Sequence, residues 1–123
     1  MKPLISDKIP TPRGHYSTCI EHNGILYIAG QLPYVPVTRE IPEGIEAQTK
    51  QVLENLELIL TEAGSSKNKV LQMRIYVTSI ELWDKVNQVY ADFFENHKPA
   101  RIVLPVGALH FGSLIEIEAT AWV

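Results

Sequence analysis

The chain has 123 residues, 46% of them hydrophobic and 20% charged, with eleven Lys and Arg against fourteen Asp and Glu. A net charge of −3 without any basic run disfavours a nucleic-acid partner, because phosphates are bound through clustered cations. The lone cysteine, Cys19, excludes an intramolecular disulfide and a cysteine zinc cluster, and no stretch approaches the roughly 20 apolar residues of a membrane span. The expectation is one soluble, cytoplasmic domain over residues 1–123, long enough to bury its own core.

Residues 1–13 hold Pro3, Pro10 and Pro12 and read as an extended N-terminal arm, since proline removes a donor and extends the residue before it. Tyr16 to Ala29 reads as two short strands around the His22-Asn23-Gly24 turn, with Gly30 to Pro33 ending the second. A loop with Pro33, Pro36 and Pro42 follows, and loops of this length more often carry function than packing.

Ile45, Val52, Leu53, Leu56, Ile59, Leu60 and Ala63 then recur at helical spacing, with Gln48, Lys50, Gln51, Glu54 and Glu57 largely on the other side. Gly64 supplies the stop. From Val70 to Val77 the period drops to two, which puts Leu71, Met73, Ile75 and Val77 on a buried face. Ser79 is the expected N-cap of a second helix carrying Leu82, Val86, Val89, Tyr90, Phe93 and Phe94 on one stripe.

Two strands close the chain, Arg101 to about Val106 and Leu114 to Val123. In the last, Ile115, Ile117, Ala119 and Ala121 alternate with Glu116, Glu118, Thr120 and Trp122. The order is ββαβαββ, an α+β domain with two helices on one face of a mixed sheet. The other face carries Arg74, Tyr76, Glu116, Glu118 and Trp122, a mixture suited to contact between subunits.

The chemistry-bearing residues are few. His15, His22, His97 and His110 are scattered without metal-site spacing, and no nucleophile elbow or Gly-rich phosphate cradle occurs. Cys19, in a strand with no basic neighbour, reads as an inert buried thiol. Arg101 follows a helix-terminating proline. It is either a surface ion-pair partner or a fixed fork for a carboxylate. Glu116 is either exposed on the polar face or placed in a cleft, where it can handle a water's proton.

Gly14-His-Tyr16-Ser17, Leu26-Tyr-Ile-Ala-Gly30-Gln31-Leu-Pro33, Gln48-Thr49 with Asn55-Leu56, Val86-Asn87-Gln-Val-Tyr90, Pro99-Ala-Arg101 and Ile115-Glu116-Ile-Glu118-Ala119 occur in order along nearly the whole chain. Together they resemble the YjgF/RidA family, also described as endoribonuclease L-PSP. The resemblance implies a chorismate-mutase-like fold, assembled as a homotrimer around a central barrel, with ligand clefts at the three interfaces. It implies hydrolysis of 2-aminoacrylate-type enamines and imines to 2-oxo acids and ammonia, without a metal or organic cofactor. On this resemblance Arg101 grips the substrate carboxylate and Glu116 orients the attacking water. Tyr16, Ala29, Gly30, Asn87 and Val103 belong to the same cleft.

Two positions depart from many relatives: Ala29 stands where Ser is common, and Val103 where Cys is common. Both changes are expected to favour larger or more apolar imines. The Gly107–Gly112 loop also departs from the commoner Leu-Pro turn, and places His110 and Phe111 either at the cleft mouth or on a plain surface loop. Two other readings keep the fold: a non-enzymatic carboxylate-metabolite binder or chaperone-like regulator, and an endoribonuclease, which the charge disfavours.

Overall fold

The computed structural model describes residues 1–123. Its elements are β1 (Lys2–Pro3), β2 (Cys19–His22), β3 (Ile25–Gln31), α1 (Ile45–Glu62), β4 (Val70–Val77), α2 (Trp83–Phe94), β5 (Ala100–Pro105) and β6 (Ile115–Trp122). They form one six-stranded sheet in the order β1-β2-β3-β6-β4-β5. Only the β4–β5 pair is parallel, joined through α2, and every other pair is antiparallel. The expected ββαβαββ order is present, with β1 added where the arm pairs with β2 as a short edge strand.

The β2–β3 hairpin turns on Asn23 and Gly24, with φ of 53° and 77° and His22 paired to Ile25. Two successive positive φ values match the twist of the flanking strands, and Asn-Gly tolerates them best. Leu4, beyond β1, continues the edge by donating its N–H to the Cys19 carbonyl at 2.8 Å. Ser6 donates to Glu62 at 2.5 Å and so ties the arm to the end of α1.

Two irregularities shift the expected registers. In β3, three steps from Ile28 to Gln31 oppose two on β6, from Ala119 to Ile117. This bulge lengthens β3 to Gln31, past the expected end at Ala29, and takes Gly30 out of regular alternation. It also explains why β2 begins at Cys19 and not Tyr16: Ala29 still pairs with Thr18, but beyond it the ladder is lost. In β4, the step from Val70 to Gln72 opposes a single step on β6. The extra residue is Leu71, which is 45% exposed while Val70 is buried, contrary to simple alternation.

Both helices cover the face that carries Met73, Ile75, Val77, Ile115, Ile117, Ala119 and Ala121, and together they enclose the core. Phe94 sits at its centre, with ring centroids 4.7 Å from Tyr90 and 4.9 Å from Phe93. Ser79 caps a 3-10 turn over Ile80–Leu82 that leads directly into α2. Glu95, at φ 57°, ends the helix before Pro99.

The polar stripe of α1 is not all solvated. Gln48 is buried, donating to the Pro42 carbonyl at 2.9 Å and accepting from Leu114 N–H at 2.8 Å. Asn55 donates to the carbonyls of Leu32 at 3.1 Å and Tyr34 at 2.8 Å, and so pins the proline-containing loop beside Gly30. Asn55→Ala leaves two carbonyls without this donor, which should lower stability by about 1–3 kcal/mol. Chemical denaturation measures the loss; an unchanged midpoint contradicts the assignment.

Candidate functional site

Strand β5 lies at the sheet edge, and the helix-side residues along it are Arg101 and Val103. The α2 crossover brings a stripe of helix over that edge. Arg101 Nη1 donates to Asn87 Oδ1 at 2.8 Å. Its guanidinium carbon lies 4.8 Å from the Tyr90 ring centroid and 5.4 Å from that of Trp83. The four ion pairs of the chain leave Arg101 out, so no carboxylate lies within 4.0 Å of it. Within the chain, then, Arg101 has no ion-pair partner. A neutral amide and two rings fix the guanidinium fork, and its charge is left unmatched.

Tyr90 is 7% exposed, and its hydroxyl has no hydrogen-bond partner. Burial pushes its pKa up to about 12, against the pull of the Arg101 charge. Asn87, Tyr90, His97, Pro99 and Arg101 line a single pocket at this edge. His97 holds the pocket's far wall through a 2.7 Å contact from Nε2 to the Val70 carbonyl.

Glu116 belongs to the opposite face. It alternates with the buried Ile115 and Ile117 and stands over Gly30, where even a Cβ would overlap its Oε2. The β3 bulge and the absence of a side chain at Gly30 thus make the seat for this carboxylate. Burial raises its pKa above the usual carboxylate value, His110 lowers it by charge, and Glu118 raises it again. The exposed His110 turn is therefore within electrostatic reach of Glu116; within it, Phe111 takes φ 60° and its ring lies tilted at 47° to that of His110, with centroids 5.7 Å apart. Tyr16, in the loop before β2, lines a cavity with Gly30, Gln31, Tyr34 and Asn55.

The candidate residues of one chain therefore fall into two groups. Asn87, Arg101 and Val103 lie on the helix side of the β5 edge; Tyr16, Ala29, Gly30 and Glu116 lie around the β3 bulge and the open face. Arg101 is opposite Met73 and Glu116 opposite Tyr76 on the intervening β4. Three residues along one strand and two strand spacings put their backbones about 14 Å apart. Side chains pointing to opposite faces cannot close that gap within one chain.

The open face is apolar in patches. Tyr27, Ile102, Leu104 and Trp122 are exposed there, beside a polar centre in which Tyr76 donates to Glu118 at 2.6 Å. That hydrogen bond is the first cause of the raised Tyr76 pKa. Cys19 is fully buried, and desolvation, helped by Glu21, pushes its pKa up to about 11, which suits an inert thiol. No three His, Cys, Asp or Glu side chains converge as metal ligands. Trp83 and Tyr90 were not singled out as site residues by the sequence reading. Their spacing of i, i+4 and i+7 with Asn87 was the available signal.

Because burial raises the Glu116 pKa, the native state holds this proton more tightly than the unfolded chain. Its contribution is fully present below the unfolded pKa and is lost as pH rises through the folded one. Glu116→Gln should flatten that part of the pH–stability curve and leave stability at neutral pH equal or higher. Denaturation at a series of pH values checks this; an unaltered curve contradicts the buried placement.

Comparison with known proteins places this geometry. The Endoribonuclease L-PSP family model matches residues 6–123. A RutC family protein of Pyrococcus horikoshii is 44% identical, the match covering 97% of this chain and 95% of that protein. The Rid-family protein YyfA of Yersinia pestis superposes with a TM-score of 0.94 at 41% identity, covering 99% and 98% of the two chains. The structure of E. coli TdcF with bound serine superposes with a TM-score of 0.93 at 29% identity, covering 100% and 99%. The protein belongs to the endoribonuclease L-PSP, or YjgF/RidA, family.

Proposed function

We propose that the protein hydrolyses reactive imines and enamines of the 2-aminoacrylate type to 2-oxo acids and ammonia, in clefts between the copies of a homotrimer. The observation that carries this reading is Arg101, a fixed guanidinium fork without an acid partner. Such a fork fits a carboxylate, and serine, the ligand bound to TdcF, carries one. Arg101 of one copy and Glu116 of the next supply the two functions that imine hydrolysis needs, and the open sheet face is the surface through which copies meet.

In this scheme Arg101 holds the carboxylate and Asn87 keeps the fork aligned. An enamine first takes a proton at its terminal carbon and becomes the imine. Water then adds to the imine carbon while Glu116 accepts its proton. That proton passes to the nitrogen to give the carbinolamine; the carbinolamine hydroxyl then gives up its own proton, by way of Glu116, to the amine as the carbonyl forms, and ammonia leaves. Imines already hydrolyse in water, so positioning and one acid–base group suffice, and a carboxyl with a raised pKa is suited to both directions of transfer. The family description names RNA cleavage instead. The net charge of −3 disfavours that substrate.

The test is a coupled assay, in which an amino-acid oxidase generates the imine and semicarbazone formation follows its survival. Arg101→Ala should slow hydrolysis by about thirty-fold to several-thousand-fold while the melting temperature is kept. Arg101→Lys should recover little, since a point charge does not replace two parallel hydrogen bonds. A destabilised but fully active Arg101→Ala overturns the reading, and a wild type that binds 2-oxo acids without hydrolysing imines leaves metabolite binding in its place. Light scattering at micromolar concentration should give a trimer; a monomer contradicts the shared cleft.

A further inference from the structure

The Arg101 guanidinium faces two surfaces: a pocket that Glu95 and Lys98 also line, and, outside that lining, the Trp83 ring 5.4 Å away. Trp83, Asn87 and Tyr90 form one stripe of α2, and all three touch the guanidinium group. Their exposures differ. Tyr90 is sealed against Phe94 at 4.7 Å, whereas Trp83, the first residue of α2, remains 36% exposed. An indole with solvent-facing surface therefore stands directly beside the charge that anchors the ligand. Val103, two residues along β5 on the same side as Arg101, is apolar and packs against the core. No ionised group pairs with Arg101 on any of these elements.

A 2-oxo or 2-imino acid seated on Arg101 by its carboxylate carries its side chain only two bonds further on. The outer carbons of that side chain fall within reach of a ring that already contacts the guanidinium. We propose that Trp83, flanking Arg101 outside the pocket's lining, is the specificity-determining residue for a ligand anchored there. It steadies the Arg101 fork and receives an apolar side chain, so larger apolar 2-imino and 2-oxo acids are preferred over short ones. The proposal rests on Arg101 being the carboxylate anchor of the proposed function, but it concerns recognition and does not require turnover. Each methylene moved from water onto apolar surface is worth about a four-fold change in affinity, so side-chain length is a sensitive readout.

The experiment compares 2-oxobutanoate with 4-methyl-2-oxopentanoate, stable carboxylates that differ in side-chain size. The chain has two tryptophans, so Trp122→Phe leaves Trp83 as the only indole and its emission reports binding. Both ligands should change that emission, and the larger should bind at least five-fold more tightly. By calorimetry, Trp83→Ala should bring the affinity ratio below about two-fold and weaken both ligands, while Trp83→Phe should keep most of the ratio. Should Trp83→Ala fail to fold, Trp83→Gln keeps bulk, removes the apolar ring and should show the same loss. A ratio unchanged in these variants, or equal binding of both ligands by the wild type, overturns the proposal. A five-fold ratio that depends on Trp83 in a protein without imine hydrolysis supports it and removes the enzymatic reading alone. Unchanged binding of both ligands by Arg101→Ala removes the anchor and overturns both.

Discussion

A β-sheet has two faces, and in this protein the two helices cover only one of them. The strict alternation of β6 sends Ile115, Ile117, Ala119 and Ala121 into the core and Glu116 and Glu118 out of it. The same alternation on β5 sends Arg101 and Val103 toward the helices and Ile102 and Leu104 outward. The Arg101 guanidinium and the Glu116 carboxylate thus lie on opposite faces of the sheet. In the proposed reaction each copy supplies two half-sites, and a second copy joins them.

Each half is built by a different device. The parallel β4–α2–β5 crossover lays α2 across the β5 edge, and that crossing places Asn87 and two aromatic rings around Arg101. The result is a cation held by neutral partners. Glu116 owes its seat to a bulge. The extra residue in β3 and the bare backbone of Gly30 let the carboxyl lie down on the strand, where partial desolvation lifts its pKa. Asn55 holds the loop beyond that bulge from the helix side, and so links the core to the rim.

Much of the frame was legible in the residues. Asn23-Gly24 announced the hairpin, and the change from period 3.6 to period 2 at Val70 placed β4 between the helices. Where alternation failed, at Leu71 and at Ala29–Gly30, the cause was a bulge, set by the partner strand and not by local preference. Gln48 reads as part of the polar side of α1 because a helical wheel ranks side chains by polarity alone, and the same wheel gives no sign that Asn55 is buried. They are buried because loop carbonyls and the start of β6 come to meet them. The family resemblance makes Arg101 and Glu116 candidate site residues. That they point away from one another follows from register and crossover, which no local pattern encodes.

The claim that one site draws on two copies is tested most directly by complementation. Arg101→Ala and Glu116→Gln homo-oligomers should each be nearly inactive, because every cleft lacks one of its two functions. Unfolded together in equal amounts and refolded, they should regain about a quarter of wild-type imine hydrolysis, the fraction of clefts that pair an intact Arg101 with an intact Glu116 in a closed ring. A co-refolded mixture that co-assembles but stays inactive would mean that both residues act from the same chain, and would contradict the account.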